Sequence, residues 1–204
     1  MAFARGNHNG FTLIELVVTI TVILVLLLIA VPSFEAVRQR SALRGAAEQT
    51  LSFWNQARFE AVKRNQLVKV GVLVGSDGQF CLGAATTEDP ADTTVCDCRS
   101  DAPAANACDV GRFPTAASEW RGVTLAGATL GGGTELVRRP AVIEPMRTSV
   151  SEAVDAGTVS LAAPAGPASL ELRLAVDRLG RGRLCEATES SDALPEYATR
   201  RCAE

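Results

Sequence analysis

Glu15 is the only charged residue between Phe11 and Val31, a run that is otherwise apolar or hydroxylic. A carboxylate at that depth in a bilayer costs about 2.5–3.5 kcal/mol on insertion scales. A cation held close in a low-dielectric bundle offsets that cost. The placement therefore asks for a chemical reason that an ordinary apolar run does not supply. Gly180-Arg181-Gly182-Arg183 offers a second chemistry. A glycine-bearing turn can approach a duplex closely, and two guanidiniums can fork onto phosphate oxygens. Arg178 sits beside the turn, and Arg200 and Arg201 join it if Cys185 bonds to Cys202. The plainer alternative is a β-turn with solvated arginines. From Leu170 to Glu204 six arginines meet seven acids, and aromatic residues are too scarce for a stacking platform. Any duplex contact is then phosphate-led and independent of base sequence.

The third chemical group is sulfur. Cys81, Cys96, Cys98, Cys108, Cys185 and Cys202 all lie after residue 80. Cys96-Asp-Cys98 lacks the usual spacer of a zinc site, and the only histidine, His8, precedes the apolar run. Disulfides in an oxidising compartment follow, with no metal and no cofactor. Sequence locality pairs Cys185 with Cys202 and leaves the other four to pair among themselves. Paired cysteines leave no obvious nucleophile. The glycines of LGGGTEL, residues 130–136, lack the lysine and the helix of a phosphate-binding loop. An enzyme is not expected. A net charge of −3 and a pI of about 5.3 exclude a globally basic nucleic-acid binder but leave room for a local basic patch.

These residues need elements to position them. Phe11 to Val31 is close to the roughly 20 residues of a helical membrane crossing. It is too long for the core of a cleaved secretory signal, and Val31-Pro32-Ser33 is no clean cleavage site. A plain anchor explains the length but neither the acid nor the Gly10–Phe11 junction. Beyond Pro32, Leu43, Ala47, Leu51, Trp54 and Ala61 recur at helical spacings, which predicts a helix continuing to about Lys63. Phe53, Trp54 and Phe59 read as core. The valine-rich 67–74, the turn GSDG and QFCLGA read as a hairpin. Residues 84–118 lack periodicity and read as a long loop stapled by cysteines. EWRGVTL, TELVRRPAVIEP and TVSLAA add short strands. SLELRLAV alternates, with Leu170, Leu172, Leu174 and Val176 on one face, and DRLGRGRLC turns the chain into a last strand. The expected class is α+β, a long N-terminal transmembrane and amphipathic helix packed on a small, disulfide-stapled antiparallel β domain.

GFTLIELVVTITVILVLLLIAVPSF closely resembles the N-terminus of type IV prepilins and type II secretion pseudopilins. The resemblance implies a leader, 1–10, cut after Gly10 by a prepilin peptidase, and N-methylation of the new terminal Phe11. It makes Glu15 the filament-assembly glutamate, whose carboxylate meets the terminal amine of a neighbouring subunit. Pro32 matches a position where the pilin helix bends. ARFEAVKRNQLVKV and VDRLGRGRLC are similar to segments of FimT, FimU and GspH proteins, so the resemblance covers residues 3–75 and 169–186. It implies two small antiparallel sheets. It also implies 11–31 as transmembrane and filament-core helix, 32–65 as amphipathic helix entering the globular domain, and 66–204 as a β-rich periplasmic domain.

Single-pass inner-membrane residence before filament assembly follows, with other pilins and the peptidase as partners. Arg38, Arg40 and Arg44 run against this orientation on a positive-inside count, but the cysteines and the family outweigh them. The implied function is that of a minor pilin at or near a pilus tip. The alternatives are a FimT-like DNA-binding minor pilin for transformation, since Gly180 to Arg183 matches a Gly-Arg-x-Arg element that contacts double-stranded DNA, and a GspH-like pseudopilin.

Overall fold

The computed structural model describes residues 11–75, 79–99, 106–114, 122–132, 141–144, 157–165 and 168–187, with positions 194, 197, 200 and 202. It divides into two units, Met1–Arg38 and Gln39–Glu204. One helix, α1 (Leu13–Arg64), supplies residues to both. Thr12 caps its start, with Oγ1 accepting the Glu15 N–H at 3.3 Å. At its end Asn65 adopts a left-handed φ of 51°, and the N–H groups of Asn65 and Gln66 bond back to Val62 and Ala61 at 3.2 Å. That is the reciprocal closure that satisfies the last carbonyls of a helix.

Eight strands follow: β1 (Leu67–Val74), β2 (Phe80–Thr87), β3 (Gly111–Phe113), β4 (Thr124–Ala128), β5 (Ala141–Ile143), β6 (Thr158–Ala165), β7 (Ala168–Val176) and β8 (Gly182–Glu186). They form two four-stranded antiparallel sheets, ordered β3-β2-β1-β5 and β4-β6-β7-β8. The fold is α+β, a helix packed on two small sheets with three disulfides. Within the second unit α1 buries Leu43, Ala46, Ala47, Thr50, Phe53, Trp54, Ala57 and Ala61. The alanines bring the helix backbone close to the sheets. Phe53 stacks on Phe113 of β3 with ring centroids 6.0 Å apart. Leu51 is half-buried, and Phe59 is 65% exposed, so the expectation of a core role for Phe59 is corrected. It falls on the opposite side of the helix from Ala57 and Ala61.

The stretch read as a loop, 84–118, contains the end of β2 and the whole of β3. Between them residues 88–99 and 106–110 fold over the outer face of the first sheet. Gly71 and Gly83 stand opposite each other on β1 and β2. A Cβ on Gly71 would lie 2.6 Å from Val95 Cγ1, and one on Gly83 would lie under 3.0 Å from the sulfurs of Cys96 and Cys108. The two glycines thus make the shallow seat on which the cystines rest. Cys81–Cys98 and Cys96–Cys108 hold this segment.

Lys69, on the same outer face, is buried and bonds Asp92 Oδ2 at 2.9 Å and Thr94 Oγ1 at 2.8 Å. Burial opposes ionisation of Asp92, but hydrogen bonds from Lys69, Thr94 and Thr87 prevail and hold its carboxyl well below the usual range. A depressed carboxyl pKa stabilises the fold above the unfolded value of about 3.9 and loses that contribution as pH falls below it. Asp92→Asn is therefore expected to melt at a lower temperature at neutral pH, where Lys69 loses its anion. It should also show a shallower further decline below about pH 4 than the wild type. Thermal melts across that window check both.

Candidate functional site

Two places carry the chemistry. In the first unit, the residues from Phe11 to Leu28 are exposed around the whole helix circumference. A helix that is apolar all round requires lipid or protein on every side. Its hydroxyls are already satisfied: Thr19 Oγ1 donates to the Leu16 carbonyl at 2.8 Å and Thr21 Oγ1 to that of Val17 at 3.0 Å. Glu15 lies in the first turn, where a negative charge suits the helix dipole. Its carboxylate is exposed and has no partner among the described residues. No helix among the described residues is long and apolar enough to cross a membrane. The side chains of 29–33, Pro32 among them, lie outside the description, as do Gly10 and the rest of 1–10.

The second place is the β7–β8 turn. Asp177 and Arg181 close it, with Asp177 N–H donating to the Arg181 carbonyl at 3.1 Å and Gly180 N–H to the Asp177 carbonyl at 2.8 Å. Gly180 has a φ of 70°, which only glycine adopts without strain. Its carbonyl accepts the Trp54 indole N–H at 2.9 Å, so α1 fixes the turn from beneath. Asp177 receives the Arg181 backbone N–H and its Nε–H. Burial opposes ionisation of Asp177, yet those bonds and the nearby positive charge hold its carboxyl below the ordinary range.

Arg178, Arg181, Arg183 and Arg200 are exposed, whereas Arg201 lies outside the described residues. Arg183 stands opposite Ala175 in the β7–β8 register, on the outer face of the second sheet. Arg173 shares that face, opposite Cys185, and bonds Ser160 Oγ and Glu171. Sequence reasoning passed over Arg173, although its place in SLELRLAV, out of phase with the leucines, marked it as outward. Cys185–Cys202 brings the chain end alongside β8, and the Arg200 carbonyl accepts the Glu186 N–H at 2.9 Å. Among the described residues no cluster of His, Cys, Asp and Glu could hold a metal ion.

Residues 5–31 match the family model described as the prokaryotic N-terminal methylation motif, a type IV pilin-like prepilin signal. No curated protein and no solved structure matches the chain.

Proposed function

We propose that this chain is a minor pilin, a structural subunit of a type IV pilus. It is cut after Gly10, methylated on Phe11, held in the inner membrane by 11–31 and then assembled with other pilins at or near the pilus tip. The observation that carries the reading is the prepilin-type match over 5–31. The chemistry of Glu15 supports it, because a lone acid in an apolar helix is stabilised when a neighbour's terminal amine reaches it. The three disulfides suit a domain facing the periplasm, and with every cysteine paired no thiol remains as a nucleophile. The role is structural rather than catalytic. Mass spectrometry of the membrane fraction should find a mature terminus at methylated Phe11, and any other terminus overturns the reading. Glu15→Ala should insert at least as well as the wild type but be depleted from sheared pili, since the mutation removes the insertion cost and the amine's partner together. A GspH-like pseudopilin would give the same two results in a secretion filament, so the filament that contains the chain separates the two.

The arginine turn favours a second reading, a FimT-like capture of double-stranded DNA. Arg181 is exposed on a turn that backbone bonds and Trp54 hold in one shape, and Arg183 is exposed at the start of β8 beside it. Arg181→Gln with Arg183→Gln should weaken binding alike on any duplex sequence and make the salt slope shallower by about 0.9 for each phosphate no longer neutralised. Anisotropy titrations of the full chain in neutral detergent measure this. Absence of wild-type binding at about 50 mM salt removes the reading.

A further inference from the structure

The arginine turn contains a carboxylate whose charge opposes any phosphate contact. Asp177 Oδ1 accepts the Arg181 backbone N–H at 2.9 Å, and its Oδ2 accepts the Nε–H of the same residue at 2.8 Å. One carboxylate thus ties the backbone and the side chain of Arg181 together. The bond to Nε fixes the plane of the guanidinium against the turn and uses neither terminal nitrogen. The Arg181 side chain remains 69% exposed. The base of this arrangement is itself fixed, because Gly180 donates to the Asp177 carbonyl and accepts from the buried Trp54 indole. A Cβ on Gly182 would lie 2.8 Å from Leu51 Cδ1, so β8 begins hard against α1.

We propose that Asp177 is a positioning residue, holding the Arg181 guanidinium so that its two terminal nitrogens form a preorganised fork for one phosphate of duplex DNA. The proposal rests on the DNA reading of the turn given above. An arginine ordered before binding loses less freedom when the phosphate arrives. That gain acts against the repulsion between the phosphate and the carboxylate, and the two effects predict opposite signs for loss of the acid.

Two variants separate them. Asp177→Asn keeps an oxygen for the Arg181 backbone N–H, removes the anion that holds Nε and makes the net charge one unit more positive. Arg181→Lys keeps the charge and has no Nε. Anisotropy titrations of the full chain in neutral detergent against mixed-sequence duplexes, at about 50 mM salt, read the effect. Positioning predicts that Asp177→Asn binds about threefold or more weakly despite its added positive charge, as suits loss of an exposed ion pair. It predicts a comparable weakening for Arg181→Lys, and a double variant no weaker than Arg181→Lys alone. Binding by Asp177→Asn at wild-type strength or tighter overturns the proposal and leaves the DNA reading intact, as does a double variant in which the two weakenings multiply. A wild-type chain that binds no duplex removes both. If Asp177→Asn melts early, Asp177→Ser takes its place, because it too keeps an acceptor for the Arg181 backbone N–H and none for Nε, and wild-type affinity or tighter in it overturns the proposal.

Discussion

Trp54→Ala is expected to cost the fold about 3–5 kcal/mol, a large share of the about 5–15 kcal/mol that holds a domain together. Trp54 is 1% exposed and is the largest fully buried side chain among the described residues. Its loss leaves a cavity where the helix meets the second sheet and strips the Gly180 carbonyl of its donor. Trp54→Phe isolates the second effect. It keeps most of the volume and leaves a buried carbonyl unsatisfied, which costs about 1–3 kcal/mol. Thermal unfolding of the two variants beside the wild type separates packing from hydrogen bonding. A Phe variant as stable as the wild type would show that the indole bond contributes nothing. The arginine turn should loosen in both, since no other side chain on α1 donates to Gly180 among the described residues.

The second large effect belongs to a residue with no side chain. Gly83→Ala would thrust a methyl group against the sulfurs of Cys96 and Cys108 and bring it within 3.2 Å of Cys98 Cβ. Neither neighbour is the free end of a flexible chain, because both sulfurs are fixed by a covalent bond to each other. The strap over the first sheet must lift, and with it Val95 must leave Gly71. Free thiols are expected in the unreduced, denatured variant, where the wild type should show none. Loss of a native disulfide costs about 2–5 kcal/mol. An Ala variant with all six cysteines paired as in the wild type would show that the strap can shift without breaking. Gly71→Ala offers the comparison, since its added methyl meets the Val95 side chain, with Cγ1 at 2.6 Å, rather than the sulfurs of a disulfide.

Much of this architecture is legible in the chain. The helix end at Arg64 lies one residue from the expected Lys63, because the stripe of Leu43, Ala47, Trp54 and Ala61 stops there. The alternation of SLELRLAV and the glycines after it announce β7, the turn and β8. Phe59 shows where the pattern misleads. Its size suggests burial, yet the small Ala57 and Ala61 mark the packed side, since close helix–sheet approach favours small residues there. The strap over the first sheet is legible only as a cysteine-rich stretch. Its seat depends on two glycines brought together by strand pairing, and its lock on Lys69 and Asp92, which are distant in sequence and ordinary in type. Asp177 escapes notice for a related reason. In the sequence it is one more acid in a near-neutral tail, whereas the turn places it on the arginine that follows it by four residues.

The two sheets share one further property. β3 and β5, which bound the first sheet, are three residues each. In the second sheet β4 carries a register shift between Leu125 and Gly127, and along β8 the Glu186 N–H is bonded to the Arg200 carbonyl and its own carbonyl to the Cys202 N–H. Short strands, a bulge and a covered rim are the devices by which β proteins refuse to template a neighbour's strand. A pilin-like subunit packed beside other pilins would face that hazard along its whole exposed rim. If its helix is the part meant to polymerise, blunted strand rims ensure that sheets do not compete for the role and that growth stays in the one register the helix dictates.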